Sequence, residues 1–218
     1  MRSTAPLLLC LLCLLCACAA GRAERRADGP AQLRAAVVRS ARGFLGERRL
    51  TVGGRPLPAD CWSLPVAAYA RSGLALGGGD ALGLYHAAAD LGRLYSGRQP
   101  RPGDLVFTRA SAERRETARP AIAPGAEASG AGCPGCSPRP PSPADVHVGV
   151  IGEVERDGTV VVYQRMARGV VAYRMNAAHP DDPVEPGTRR PWNDRIAAGH
   201  GQSRLAGQLF AAYASFLP

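Results

Sequence analysis

The sequence lacks any long apolar segment after residues 1–20, and aromatic side chains make up only 6% of the chain. A membrane-spanning helix needs about 20 consecutive apolar residues, so we expect no transmembrane segment in the processed protein. No basic cluster is interleaved with aromatic residues, which argues against a nucleic-acid groove, so we expect no nucleic acid among the partners. No internal repeat is present, which excludes a repeat architecture.

The amino-terminal segment has the pattern of a secretory signal. A single cation, Arg2, precedes an apolar run over residues 7–15, and small residues follow at positions 17–21. The run is about half the length that a spanning helix requires. The pattern therefore predicts export, with residues 1–19 forming the signal peptide.

Two processing outcomes fit this segment. Residues 15–18, Leu-Cys-Ala-Cys, resemble a bacterial lipoprotein box, in which residues 1–17 are removed and Cys18 is lipidated. Ala17 and Ala19 equally suit an ordinary signal-peptidase cut. We slightly favour the lipoprotein, and we expect a cell-envelope protein that is either periplasmic or attached to the inner or outer membrane by lipid at Cys18.

Charge and length bound what the processed chain can be. The formal charge of +9 falls only to +8 on processing, because Arg2 is the only ionisable side chain removed. A positive surplus favours anionic surroundings, which in the envelope are lipopolysaccharide, acidic wall polymers or phospholipid headgroups. About 200 residues remain, enough for one domain with a core but hardly for two. We assign residues 30–175 to this domain and 176–218 to a carboxy-terminal extension, and we expect a monomer.

The cysteines that follow the signal segment divide into two groups. Cys61 stands alone, and an unpaired cysteine is a liability in an oxidising compartment unless it is used. Cys133 and Cys136 lie in an inserted segment, residues 109–144, whose Pro, Gly, Ala, Ser and charged residues predict a disordered loop. A zinc site would need a second ligand pair, so we expect a local disulfide there, and no metal or cofactor.

The apolar spacing predicts a mixed α+β chain. Helical spacing occurs over residues 30–46, 63–72 and 81–94, with Arg side chains on the outer face of the first. Alternation predicts strands at 105–107, 146–154, 159–164 and 170–173, with a hairpin at Asp157-Gly158. Residues 176–202 are expected to wrap the surface and to dock through Trp192-Asn193-Asp194. A closing helix is predicted from the spacing of Leu205, Leu209, Ala212, Tyr213 and Phe216.

Cys61 and His147 are the candidate catalytic residues. The reactive form of cysteine is the thiolate, and a helix start together with a nearby imidazolium lowers the thiol pKa. Cys61 is predicted at a helix start and His147 on a strand. This order gives a nucleophile, a general base and then a polar residue that fixes the imidazole.

The candidate for that polar residue follows from strand register. A hairpin turn through residues 155–158 sets Gly149 opposite Gln164 and so places Gln164 diagonally beside His147. The amide oxygen of Gln164 could then accept the imidazole proton. A bulge of one residue would present Tyr163 instead.

Three short blocks carry a resemblance to a known family. Residues 60–64 (Asp-Cys-Trp-Ser-Leu), 101–107 (Arg-Pro-Gly-Asp-Leu-Val-Phe) and 147–152 (His-Val-Gly-Val-Ile-Gly) resemble, in order, the signature blocks of the NlpC-like and CHAP cell-wall hydrolases. The resemblance implies a papain-like α+β fold, in which amino-terminal helices pack on a small antiparallel sheet. It implies a catalytic Cys61 and His147, whereas Gln164 stands where relatives mostly carry His, Asn or Glu.

The resemblance also implies the substrate. It predicts a peptidoglycan hydrolase that cleaves a stem-peptide bond, or the amide linking stem to glycan, through an acyl-enzyme on Cys61. The choice between endopeptidase and amidase depends on the cleft walls and stays open. The alternatives are transfer of the acyl group to an amine, and a catalytically inactive envelope protein that binds wall peptides or a partner hydrolase.

Overall fold

The computed structural model describes residues 29–77, 79–109, 146–197 and 203–218. The predicted signal peptide, with Cys18, lies outside these ranges. So do His200 and most of the predicted disordered insertion 109–144, with Cys133 and Cys136. Within the described ranges, no helix has the length and apolar character needed to cross a membrane.

In the part of the chain that the structure describes, three α-helices precede most of the sheet. Helix α1 covers residues 29–42, α2 is Ser63–Arg71 and α3 is Ala81–Asp90. Val37 and Ala41, one turn apart on α1, are both fully buried, as helical spacing predicts. The Asp80 side chain caps α3 by accepting a hydrogen bond from Gly83 N at 2.6 Å. Helix α3 ends four residues before the predicted end at 94.

Among the described residues, ten strands form three sheets. The strands are β1 Thr51–Val52, β2 Arg55–Pro56, β3 Leu94–Tyr95, β4 Leu105–Arg109, β5 Val146–Val154, β6 Val160–Met166, β7 Gly169–Met175, β8 Arg195–Ala197, β9 Ser203–Leu205 and β10 Phe210–Ala214. The main sheet has six antiparallel strands in the order β3-β10-β4-β5-β6-β7, and β1-β2 and β8-β9 are small hairpins. The α+β class is thereby confirmed in its general form.

Both faces of the main sheet are buried. Phe107, Val148 and Tyr163 belong to the core on the face that α1, α2 and α3 cover. The alternate residues of the same strands form a second core, which residues of the carboxy-terminal extension cover. These alternate residues include Val106, Ile151, Val162, Tyr173 and Met175, and their cover includes Ile196, Ala206 and Leu209. A strand buried on both faces loses the simple alternation of apolar and polar residues.

This loss of alternation explains why the predicted closing helix is wrong. Ala206–Leu209 is a short 3-10 helix, and Phe210–Ala214 is strand β10, which lies between β3 and β4. Ala212 and Tyr213 face opposite cores, so apolar residues occur on both sides of the strand and imitate helical spacing. The extension therefore supplies a central strand of the domain's own sheet.

Trp192 and Asn193 dock the extension, as the sequence predicts. Both are buried. The Trp192 indole donates to Asp157 Oδ2 at 2.9 Å and its ring stacks on His179. The Asn193 amide oxygen accepts from Asn176 N and Gly207 N. The Trp192–Asp157 bond holds the extension against the β5-β6 hairpin, and the Asn193 bonds join parts of the extension to one another.

An unexpected buried ion pair joins α1 to the start of β4. Arg34 is 8% exposed and its guanidinium lies 2.8 Å from Asp104 Oδ1. It also donates to the backbone oxygens of Pro102, Leu217 and Pro218. The expectation that the arginines of this helix face outward is therefore wrong for Arg34.

The insertion between β4 and β5 is expected to be dispensable for folding. Arg109 and Val146, on either side of it, are cross-strand partners, so the sheet already closes this loop. Joining these two residues through Asn-Gly, which favours a tight hairpin turn, should shift the melting temperature by only a few degrees. Each halving of loop length changes closure free energy by about 0.6 kcal/mol.

A variant with a longer Gly/Ser linker at the same position is the matched control for this deletion. Both proteins are compared with the full chain by thermal unfolding followed by circular dichroism. A large loss of melting temperature or of cooperativity in both would show that residues 110–145 contribute contacts to the folded domain.

Candidate active site

One cleft contains all three residues that the sequence singles out. It has a volume of about 730 Å³, and Cys61, His147 and Gln164 all line it. Cys61 comes from the loop before α2, His147 from the start of β5 and Gln164 from β6. Residues separated by up to about a hundred positions thus converge because the helices pack against the β5 region of the sheet.

Cys61 lies just ahead of α2 rather than inside its first turn. The helix begins at Ser63, with Trp62 at the N-cap position, and Pro65 follows within the first turn. Cys61 is half-buried, and its Sγ lies 3.9 Å from the carbonyl oxygen of Val146. The loop therefore directs the thiol at the first residues of β5.

The thiol reaches β5 where that strand is open on one side. Pairing between β5 and β6 ends at Val150 and Tyr163, while β6 continues to pair with β7 beyond this point. Ile151 N donates to Asp104 O on the β4 side, and backbone directions alternate along a strand. Val146 and Val148 therefore direct their backbone groups to the open side, where the Cys61 thiol lies.

Burial is the largest influence on the pKa of the Cys61 thiol. It raises the thiol pKa, the backbone N–H of Val148 opposes this rise, Asp60 adds to it and the N–H of Trp62 opposes it. The net shift is upward. The lowering that a helix start was expected to supply comes only from backbone N–H groups such as that of Trp62 at the N-cap, and burial outweighs it.

His147 is the second residue of β5 and is half-buried. Its cross-strand partner on β4 is Thr108, which also lines the cleft. Along β5, His147 alternates with Val146 and Val148, which belong to the helix-side core. The imidazole is thus on the opposite face of the sheet from α2, and both His147 and Cys61 line the cleft.

Gln164 occupies the predicted register, although the turn differs from the predicted one. The chain pairs Val154 with Val160, one residue further than expected, because the loop bonds Glu155 N to Thr159 O. A bulge at Gly152 then removes the extra residue, and Val150 pairs with Tyr163. This places Gln164 opposite Gly149, whose added Cβ would lie 3.5 Å from Gln164 Cβ.

Sequence reasoning missed the partner of Gln164. The Tyr173 hydroxyl donates to Gln164 Oε1 at 2.6 Å, and both side chains are buried. Gln164 pairs with Val171 on β7, so Tyr173 is its diagonal neighbour on the same face. The diagonal rule, applied to the next hairpin, would have identified it.

The cleft walls come from two sources. The helical side supplies Trp62 and Leu82, together with the carboxylates of Asp60 and Asp80. The opposite wall includes Ile196, Ala197 and Leu209 from the carboxy-terminal extension. The extension was expected to wrap the surface, and the structure shows that it also shapes the site.

The chemistry available in this cleft comes from a thiol and an imidazole that both line it. In the described ranges, no group of three or more His, Cys, Asp or Glu side chains could hold a metal ion. A cysteine nucleophile with a neighbouring histidine base can attack a carbonyl carbon and pass a proton to the leaving group. The arrangement therefore suits acyl transfer.

Comparison with protein-family models, with curated proteins and with solved structures finds no match to this chain.

Proposed function

We propose that this chain is a papain-like cysteine hydrolase of the NlpC and CHAP type, which cleaves amide bonds in peptidoglycan. The observation that most supports this proposal is the convergence of Cys61, His147 and Gln164 in one cleft from three separate elements. The six-stranded antiparallel sheet, with helices before it in the chain, is compatible with the fold that the three sequence blocks imply. The net positive charge suits the anionic polymers of the cell wall.

The proposed reaction has two half-reactions. In the first, the Cys61 thiol gives its proton to His147 while sulfur attacks the carbonyl carbon; the C–N bond breaks, and the imidazolium protonates the leaving amine. In the second, His147 takes a proton from water, which attacks the thioester and releases a carboxylic acid. The proton then returns to the Cys61 sulfur, so the enzyme is unchanged.

The test is digestion of purified peptidoglycan followed by mass spectrometry of the products. Cleavage within the stem yields peptides with a new amino terminus, whereas cleavage at the glycan link releases whole stem peptides. Added amine, if it replaces water, appears as an amide product. Absence of soluble product from a preparation that a reference hydrolase digests would contradict the proposal.

A second candidate function has one observation in its favour. The raised pKa of Cys61 would suit an inactive envelope protein that binds wall peptides. A thiol-directed probe separates the two candidates in a variant with Cys133→Ser and Cys136→Ser. An ion-paired Cys61 should react at pH 7 faster than an unperturbed thiol, whose pKa is about 8.5, and an inactive one more slowly.

Attachment by lipid at Cys18 is part of the proposal. Two or more acyl chains give stable membrane anchoring, whereas a single chain does not. The protein expressed with its signal should therefore sediment with membranes, and Cys18→Ser should release it to the soluble fraction. A mature protein that begins at Ala20 and stays soluble would contradict lipidation without affecting the proposed reaction.

A further inference from the structure

The side-chain amide of Gln164 has two different ends. Its oxygen accepts hydrogen bonds and its nitrogen donates them. The Tyr173 hydroxyl donates to the oxygen at 2.6 Å. Because Gln164 also lines the cleft, the orientation of this amide decides whether the cleft receives an acceptor or a donor.

Strand register separates the two neighbours of Gln164. Tyr173 lies on β7, opposite Val162, and so is displaced from Gln164 toward the start of β6. His147 lies on β5, two residues before Gly149, and so is displaced toward the end of β6. Tyr173 and His147 therefore stand on opposite diagonals of Gln164. An amide whose oxygen turns to Tyr173 turns its nitrogen to the side of His147 and the cleft.

Cys61 also lies close enough to Tyr173 to affect the pKa of its hydroxyl. Burial raises the pKa of Tyr173, and the proximity of Cys61 adds to the rise. A neutral, fully protonated Tyr173 is the form that can donate to the Gln164 oxygen. Tyr173 thus interacts both with the Gln164 amide, through a hydrogen bond, and with the Cys61 thiol, through electrostatics.

We propose that Gln164 is a hydrogen-bond donor to the carbonyl oxygen of the scissile bond, and that Tyr173 is the positioning residue that holds its amide in the donating orientation. The assignment rests on the proposed acyl transfer at Cys61. It differs from the role suggested by the sequence, in which the amide oxygen accepts the proton of His147. A donor aimed at this oxygen stabilises the negative charge that develops on it when sulfur attacks.

Replacement of Gln164 by glutamate separates the two roles. A carboxylate accepts hydrogen bonds at both oxygens, so an imidazole-orienting residue would tolerate Gln164→Glu. In Gln164→Glu the oxyanion would lose its hydrogen-bond donor and would instead face a negatively charged carboxylate. Gln164→Met keeps the length of the side chain without a donor or acceptor, and it guards against misfolding caused by a buried carboxylate.

Two reactions of Cys61 that need no wall substrate provide the readout. Acylation by p-nitrophenyl acetate forms an oxyanion, whereas alkylation by iodoacetamide does not. Both are measured from pH 5 to 9 in the background with Cys133→Ser and Cys136→Ser. We expect Gln164→Glu and Gln164→Met to lower the acylation rate by about 100-fold and to change alkylation by less than about twofold.

Tyr173→Phe should lower acylation by about five- to tenfold, since the amide then rotates freely, and should leave alkylation unchanged. Tyr85→Phe is the control, because it removes a buried hydroxyl on α3 that belongs to the other core and does not line the cleft. It should change neither rate.

The donor assignment would be overturned if Gln164→Glu kept its acylation rate while Gln164→Met lost both acylation and alkylation. That result would restore the imidazole-orienting role. Equal loss in Tyr85→Phe and Tyr173→Phe would overturn the positioning role. If the acylation pattern holds while peptidoglycan stays undigested, the donor assignment stands and the proposed substrate fails.

Discussion

Replacement of Cys61 by alanine is expected to lower the rate of peptidoglycan hydrolysis by about 10⁴-fold or more, because it removes the atom that forms the acyl-enzyme. His147→Ala should cause a comparable loss. Members of a catalytic unit do not contribute additively, so the double variant should be no slower than either single one. Rates are measured by release of soluble fragments from one purified peptidoglycan preparation.

Folding controls accompany these variants. The Cys61 side chain is half-buried and small, so Cys61→Ala should shift the melting temperature by about 4 °C at most. A variant that keeps this stability but also keeps full turnover would end the cysteine-hydrolase proposal.

The pH dependence of Cys61 alkylation tests the role of His147. The proposed reaction requires the His147 imidazolium to form an ion pair with the Cys61 thiolate near neutral pH. Burial by itself raises the thiol pKa above its ordinary value, and His147→Ala removes the imidazolium that would offset this rise. Alkylation of that variant should therefore rise with pH only in the alkaline range. An unchanged profile would show that His147 does not form an ion pair with the thiol.

The sheet around the site was predictable where strands alternate or are continuously apolar. The bounds of β5 agree with the sequence, because five of the nine residues of Val146–Val154 are Val or Ile. The hairpin after it was also located correctly by Asp157-Gly158, and Gly158 has the positive φ of 85° that this turn needs. The bounds of β5 and the position of the hairpin are therefore determined by residues that lie close together in the sequence.

The predicted register at Gln164 is correct, but it arises from a turn and a bulge that short-range sequence patterns do not reveal. The turn is one residue longer than predicted, and the bulge at Gly152 compensates. A Cβ at Gly152 would lie 2.4 Å from the Tyr163 ring, so the glycine permits the ring to cross the strand there. Sequence spacing does not reveal such a bulge, because it depends on a contact between strands.

Long-range features escaped prediction for a similar reason. Strand β10 is apolar on both faces because it lies inside the sheet, and only its neighbours β3 and β4 reveal that position. Tyr173 acquires its role from pairing with β6. Arg34 resembles any other helix arginine in the sequence, and only the turn before β4 and the carboxy terminus bury it.

Loss of one member of the Arg34–Asp104 ion pair is expected to destabilise the protein by about 3–5 kcal/mol, because the remaining charge stays buried without its counterion. Asp104 is 1% exposed, and it also accepts hydrogen bonds from Tyr95, Arg101 N and Ser215. Asp104→Asn and Arg34→Met should each lower the free energy of unfolding in urea by this amount. The double variant should lose less than the sum, since it leaves no unpaired charge.

Arg190→Met is the matched control, because Arg190 also pairs with carboxylates, of Glu155 and Asp157, but is 41% exposed. Exposed pairs contribute about 1 kcal/mol or less, so this variant should remain close to the unsubstituted protein. A loss as small in Asp104→Asn as in Arg190→Met would show that the buried pair is not a major source of stability.

The same pair predicts how stability depends on acid. Burial alone would raise the pKa of Asp104, but hydrogen bonds from Tyr95, Arg34 and Arg101 N outweigh it and lower the pKa from its ordinary value. A carboxyl group with a lowered folded pKa stabilises the fold above its unfolded pKa of about 3.9, and this contribution is lost as pH falls through the folded value. Urea unfolding between pH 2 and 6 should therefore show a steeper acid loss in the unsubstituted protein than in Asp104→Asn. Parallel curves for the two proteins would mean that other carboxylates govern acid unfolding.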